Sequence, residues 1–324
     1  MSPVRPNIVI VTPAHQTAHT GNRTTSLRWK SLLHKSGHRI QMLRADDRPR
    51  DCDVLIAVHA GHSARHVLQF RRQFPTRPIV LAIAGTDLYS ALRRSQRAQE
   101  CLKTADRVVV LQPCAVAELP KSVRAKCRVI FQSAELPNET VTHRADGFDV
   151  CVIGHLRPVK DPFRAAMAVR RLPRESSIRV THLGAAFSES MRNRATRETA
   201  NNARYEWCGE LSWRQTITRL RGSRLLVLSS KTEGGANVVS ESIVAGVPVL
   251  SSRIPGSVGL LGDHYAGYFP TGGTAELRSL LLRAENEPDF LASLQNQIHS
   301  RQPLFAPSRE QESWDRLLRE LTNG

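Results

Sequence analysis

The chain reads as an α/β protein of two domains, each built on a doubly wound parallel sheet. Three observations predict this. Short apolar runs alternate with stretches of helical periodicity, the pattern of parallel strands joined by crossover helices. A polar break over 134–147, with Pro137, Asn138 and Glu139, interrupts the alternation, which then restarts. The length of 324 residues suits two domains of about 150 each.

In order, Asn7–Thr12 reads as the first strand. Thr24–Lys35 is a helix with Leu27, Leu32 and Leu33 on one side, closed by Gly37-His38. Arg39–Leu43 and Asp53–Val58 are strands, Ala64–Phe74 a helix, and Ile79–Ile83 a strand. Tyr89–Ala105 is a longer helix, followed by strands at Arg107–Leu111 and Cys127–Phe131. After the break, Phe148–Ile153 is strand, Phe163–Arg171 helix, Arg179–Leu183 strand, Ser188–Asn201 a polar helix, Arg204–Trp207 strand and Trp213–Arg221 helix. Leu225–Leu228 is a buried strand, Asn237–Ala245 a helix, and Val249-Leu250 opens another strand. Gly246 stands where a helix-terminating glycine belongs, and Pro248 forbids continuation. Thr274–Ala284, Pro288–Ile298 and Glu310–Leu321 are late helices, the last with Trp314, Leu317, Leu318 and Leu321 at helical spacing. Both halves are therefore expected to be Rossmann-like.

The formal net charge is +17 with 5% aromatic residues. A basic surface suits nucleic acid, an anionic membrane or anionic small substrates. The arginines are dispersed and no run pairs them with stacking aromatics, so no nucleic-acid partner is expected. No run reaches the roughly 18 apolar residues of a membrane span, and the N-terminus lacks a secretory signal pattern. Six cysteines without a C-x-x-C pair read as buried thiols in a reducing, cytoplasmic setting.

The chemistry centres on two carboxylates eight positions apart, Glu233 in a loop and Glu241 on a helix. At 1.5 Å rise they would stand roughly 12 Å apart, about the reach from a hexose past a diphosphate to a ribose. Gly234, Gly235, Ala236 and Asn237 would offer backbone N–H groups at a helix N-terminus, an anion site. The same pattern also fits an ordinary αβ turn with a capping glutamate. Ligands of such sheets bind beyond the carboxyl ends of strands, so other candidates lie there. Gly21, Asn22, Arg23, Thr24 and Thr25 would form an anion nest at a helix start, or a plain cap. His59, with His62, Ser63 and Arg65, follows the third strand; no acidic or cysteine cluster joins them, so no metal site is expected. Gly85, Thr86 and Asp87 follow the fourth, lining a cleft or capping a helix. Gln112 and Gln132-Ser133 follow the fifth and sixth.

Glu233-Gly-Gly, Glu241 and Ala245-Gly-Val-Pro-Val249 resemble the E-x7-E motif of family 4 retaining glycosyltransferases. The resemblance implies the GT-B fold, two Rossmann-like domains facing a central cleft. It implies an acceptor domain over 1–135, a nucleotide-sugar domain over 147–305, and a final helix over about 306–324 that packs back on the first. It makes Glu233 the sugar carboxylate, Glu241 the ribose carboxylate, and His59 a residue near the reacting centre. Lys160 matches the family lysine that neutralises the departing diphosphate without a metal or other cofactor. The family arginine is replaced by His155, a departure, with Arg157 two residues on as a substitute.

A wider motif set resembles one subgroup, the selenosugar synthases of selenoneine biosynthesis. It comprises Gly21-Asn-Arg-Thr-Thr, Arg28-Trp29, Val58-His-Ala-Gly-His-Ser63, Gly85-Thr-Asp-Leu-Tyr89, Leu111-Gln112, Gln132-Ser133 and Gly154-His-Leu-Arg-Pro-Val-Lys-Asp-Pro162. That likeness implies transfer of a hexosyl group from UDP-GlcNAc or UDP-glucose to selenophosphate, giving a 1-selenosugar, UDP and phosphate. Asn22, Arg23, Thr24, His59 and Arg65 would hold the selenophosphate. The competing expectations are a conventional transferase with a hydroxyl acceptor, a UDP-sugar epimerase or hydrolase, and a basic nucleic-acid-binding protein.

Overall fold

The computed structural model describes residues 5–13, 21–83, 85–89, 91–137, 141 and 147–322. The chain divides into two compact units. One takes the residues up to Ser133, Gly234–Ala236 and the stretch from Ala306; the other takes Ala134–Glu233 and Asn237–Phe305.

In the first unit, strands β1 (Asn7–Thr12), β2 (Arg39–Arg44), β3 (Val54–Val58), β4 (Ile79–Ile83), β5 (Arg107–Val110) and β6 (Cys127–Val129) form a six-stranded sheet. Its order is β2-β1-β3-β4-β5-β6 and every pairing is parallel. Alternate residues point to opposite faces. Val9, Val11, Leu55, Ala57 and Leu81 join one buried cluster, while Ile8, Ile10, Val54, Ile56 and Val80 join another. Both faces are therefore covered, as a parallel sheet requires.

The covering helices are α1 (Gly21–Lys35), α2 (Ala60–Gln73), α3 (Ala91–Arg94), α4 (Gln96–Thr104), α5 (Cys114–Glu118) and α6 (Lys121–Arg124). Helix α1 starts three residues before the sequence expectation, because its first turn is polar and carries no apolar periodicity. Helix α2 starts at Ala60 rather than Ala64, because His59 caps it: the His59 Nδ1 accepts the His62 N–H at 3.2 Å. The long helix expected over 89–105 is broken. Ser95 leaves helical backbone and its hydroxyl caps the N–H of Ala98 at 3.2 Å, so α4 begins afresh.

In the second unit, β7 (Phe148–Ile153), β8 (Ile178–Leu183), β9 (Tyr205–Trp207), β10 (Leu225–Leu228), β11 (Val249–Ser252) and β12 (Tyr268–Phe269) form a parallel sheet ordered β12-β11-β10-β7-β8-β9. Numbered from β7 this is the 3-2-1-4-5-6 order of dinucleotide-binding sheets. The helices are α7 (Arg164–Val169), α8 (Glu189–Asn201), α9 (Trp213–Arg221), α10 (Asn237–Ala245), α11 (Pro255–Leu261), α12 (Thr274–Asn286) and α13 (Pro288–His299). Gly246 ends α10 at φ 73°, the left-handed backbone that favours glycine.

Helix α14 (Pro307–Thr322) belongs to the first unit. Trp314, Leu317 and Leu318 enter the cluster around Trp29, and the two indoles meet edge-on at 4.8 Å. Glu310, 1% exposed, is the polar centre of this seam. Its Oε1 accepts the Trp29 indole N–H at 2.7 Å, and its Oε2 accepts the Ser133 backbone N–H and hydroxyl at 2.7 and 2.5 Å. Arg28 Nε stands 3.4 Å from the same oxygen. Replacing Glu310 with Ala strips buried donors of their acceptor and is expected to destabilise the first unit by about 3 kcal/mol or more. Scanning calorimetry checks this; an unshifted first-unit transition would refute the role.

His182, fully buried on β8, anchors the loop after β7. Its Nε2–H donates to the Gly154 carbonyl at 3.0 Å, so Nδ1 accepts the Tyr205 hydroxyl at 2.9 Å. Burial lowers its pKa from 6.5 to about 4. The unfolded chain takes up this proton below about 6.5, the folded chain only near 4. The stability conferred by neutral His182 is thus complete above pH 6.5 and is lost as pH falls toward 4, at up to about 1.4 kcal/mol per pH unit. Thermal unfolding from pH 7 to pH 4 should show a flatter slope in His182→Gln; identical slopes would sink the assignment.

Candidate functional site

Each sheet reverses its strand order once, between β1 and β3 in the first and between β7 and β10 in the second. Crevices for ligands lie outside the carboxyl ends of strands at such points. Sequence-derived candidates follow all four of these strands.

In the second unit, β7 ends at Ile153 and runs into a short 3-10 turn, Pro158–Lys160. Ser229, just past β10, ties this turn down: its hydroxyl donates to the carbonyls of Lys160 and Asp161 at 3.2 and 2.9 Å. The Lys231 N–H bonds the Val159 carbonyl at 2.8 Å. Asp161 has φ 45°, and its carboxylate accepts Arg164 Nε at 2.8 Å. Lys160 Nζ thereby meets Glu233 Oε1 at 2.5 Å, with the carboxylate buried and the ammonium half-buried. Arg157 begins the turn, exposed, with no side-chain partner among the described residues.

His155 accepts the Ala185 N–H at Nδ1, 3.1 Å away, and meets the Phe187 ring edge-on at 4.9 Å. In this arrangement His155 holds the loop, and Arg157 is an exposed cation at the start of the turn.

Residues Lys231–Ala236 are loop, leading through Gly234, Gly235 and Ala236 into the first turn of α10 at Asn237. The 12 Å separation of Glu233 and Glu241 assumed helix throughout and is corrected: only Asn237 to Glu241 is helical, about 6 Å of rise. The α10 N-terminus carries the positive end of the helix dipole. Glu241, half-buried, accepts the Trp213 indole N–H at 3.1 Å.

In the first unit, His59 follows β3 at φ 74°, ψ 107°, left-handed backbone unusual outside glycine. Burial lowers its pKa, a shift that Asp87 partly opposes. With Nδ1 accepting from His62, the neutral ring keeps its proton on Nε2, a donor. Asp87 is fully buried: Oδ2 accepts the Ala60 N–H at 2.9 Å and Oδ1 the Gly85 N–H at 3.0 Å. It caps the start of α2 and so fixes the backbone beside His59, where sequence reading placed it lining a cleft or capping the helix that follows it. Asn22 lies beside Gly85, its Oδ1 being 3.4 Å from where a Cβ would stand. Gly21, Asn22, Arg23 and Thr24 form the first turn of α1, with Gly21 and Thr24 exposed. Arg65 is exposed on α2. Thr86 lies in the short turn Thr86–Leu88. Residues 14–20 of the expected acceptor loop lie outside the described residues. Gln132 and Ser133 are structural ties, bonding Thr25 at 2.5 Å and Glu310.

Sequence reading missed the two exposed aromatics, Phe187 and Trp213, at 62% and 50% exposure. An aromatic residue heading a helix pattern reads as core, and only the fold shows these rings in solvent. Among the described residues no group of three metal-binding side chains occurs, and no helix is long and apolar enough to cross a membrane.

Comparison with solved structures shows the fold. Structures of Anabaena HepE, in complex with UDP and glucose and with UDP-glucose, align over 98% and 99% of this chain and 100% of theirs, at TM-score 0.75 and 14% identity. Sucrose-phosphate synthase from Thermosynechococcus elongatus aligns over 98% and 100%, at TM-score 0.77 and 16% identity. A glycosyltransferase from Rickettsia africae gives TM-score 0.75 at 12% identity, over 98% and 99%. The two parallel six-stranded sheets with their helices are the GT-B fold. A search of curated proteins gives no match. The sequence model described as "Glycosyl transferases group 1" matches residues 135–300, a little over half of the length. By that match the chain belongs to the glycosyl transferases group 1.

Proposed function

We propose that this glycosyltransferase moves a hexosyl group from UDP-GlcNAc or UDP-glucose to selenophosphate. The observation that carries the donor half is the Lys160–Glu233 pair, held at the switch point of the second sheet beside the exposed Arg157. The presence of UDP or UDP-glucose in the HepE complexes supports the choice of nucleotide. The acceptor half rests on the motif set from Gly21-Asn-Arg to Lys160-Asp-Pro162.

In this reading Glu233 accepts bonds from the hexose hydroxyls and Glu241 from the ribose diol. Lys160, Arg157 and the Gly234–Asn237 N–H groups meet the diphosphate charge, with no metal or cofactor assigned a part. Selenium attacks the anomeric carbon as the bond to the diphosphate breaks and UDP leaves. Water then cleaves the Se–P bond, releasing phosphate and the 1-selenosugar. Selenium is a soft, strong nucleophile, so the enzyme's task is positioning and charge stabilisation. His59, neutral and with an Nε2–H to give, is assigned beside the reacting centre. Asn22, Arg23, Thr24 and Arg65 are assigned to the anionic acceptor, which Arg suits in charge and geometry. No disulfide joins the six cysteines, three of which are buried, and the cytoplasm is the location we propose.

Mass spectrometry of the protein incubated anaerobically with UDP-sugar, with and without selenophosphate, tests the reaction. A selenium isotope pattern on a hexose, with UDP released only when both are present, is expected. UDP release without selenophosphate would point to hydrolysis or epimerisation. UDP binding without turnover would favour a hydroxyl acceptor.

The pair also generates a prediction about product. UDP must draw Lys160 away from Glu233, whereas the donor sugar occupies Glu233 and frees the lysine. Glu233→Gln should therefore tighten UDP by several-fold in calorimetry while turnover drops by about a hundredfold, the scale of losing a charged bond made in the transition state. Weaker UDP binding in the variant would show that Lys160 does not reach the diphosphate.

A further inference from the structure

The large apolar side chains exposed among the described residues are Leu27, Phe187 and Trp213. Both aromatic ones lie in the second unit; Phe187 meets the His155 ring, and Trp213 meets the Glu241 carboxylate, which is assigned to the donor. By contrast Trp29 and Trp314 are fully buried. Half of the Trp213 indole thus stays in water while its N–H is committed to a carboxylate.

The contact is rigidly built from the tryptophan side. Trp213 is the first residue of α9, whose start is fixed by a reciprocal capping box between Ser212 and Gln215. Ile217 and Leu220, one and two turns on along the same face of α9, are buried and anchor it. Glu241 stands on α10, and the bond from Trp213 to its Oε1 helps to fix the plane of the carboxylate. Receiving two adjacent hydroxyls on one carboxylate demands such a fixed plane, and ordering it before the ligand arrives lowers the entropic cost of binding.

We propose that Trp213 is a positioning residue that sets ribose specificity: its indole N–H holds Glu241 in the orientation that receives the hydroxyls of a ribonucleoside diphosphate. The inference rests on the donor-site reading above and adds to it a residue acting through Glu241.

Calorimetry with UDP and 2′-deoxy-UDP tests it, on the wild-type chain, Trp213→Phe, Glu241→Ala and the double variant. Wild type should prefer UDP by roughly tenfold, the scale of one charged hydrogen bond. Trp213→Phe keeps the ring and loses the donor. It should weaken UDP by about three- to tenfold and 2′-deoxy-UDP, which offers Glu241 only its 3′-hydroxyl, by clearly less, so the preference narrows. In the Glu241→Ala background the same change should have no further effect. Equal weakening of both nucleotides would mark Trp213 as a stacking or structural residue and overturn the inference, as would unchanged UDP binding. A wild-type chain that binds both nucleotides equally would remove Glu241 from the ribose and the inference with it. A wild-type chain that binds no UDP would overturn the donor reading itself.

Discussion

A parallel sheet buried on both faces leaves polar chemistry nowhere to stand except at its strand ends. The rest of this molecule follows from that constraint. Strands such as Val54–Val58 and Ile79–Ile83 are wholly buried and can carry only apolar residues. The candidates for chemistry therefore lie in the loops and helices that follow the strands, His59 directly after β3 and Glu233 in the loop between β10 and α10. Order reversal in the sheet then opens the crevice there, and the Lys160–Glu233 pair and His59 follow the strands that flank the reversals.

Those strand-end positions are held by polar groups working on the backbone. Asp87 clamps the start of α2 to the end of β4, His59 closes the first turn of that helix, and Ser229 pins the turn that carries Lys160. Left-handed backbone at His59 and Asp161 is the local cost, and the surrounding hydrogen bonds over-determine both conformations.

The legibility of all this in the sequence was uneven for physical reasons. Buried strands announce themselves, and β1, β4, β7 and β10 match their apolar runs residue for residue. Helix starts were harder where a capping side chain is distant in sequence: nothing near Ala60 says that Asp87 will receive its N–H. Ser95 interrupts a helical pattern by one local hydrogen bond that periodicity cannot see. In the candidate site, the glutamates and Lys160 were visible as motif residues. Their pairing, and the indole on Glu241, arise only when β7, β10, α9 and α10 are placed together.

Trp29 and Glu310 are bonded across 281 positions of sequence. On a ribosome adding about 5–20 residues per second, the first unit waits roughly 15 to 60 s after Trp29 emerges before its last helix exists. The second unit, continuous from Ala134 but for three residues, has its whole sequence available sooner. The usual N-terminal-first order of folding during synthesis is thus inverted at completion. The early sheet emerges with the Trp29 face uncovered, a stretch of apolar surface that chaperones would meet in the nascent chain and never in the finished protein.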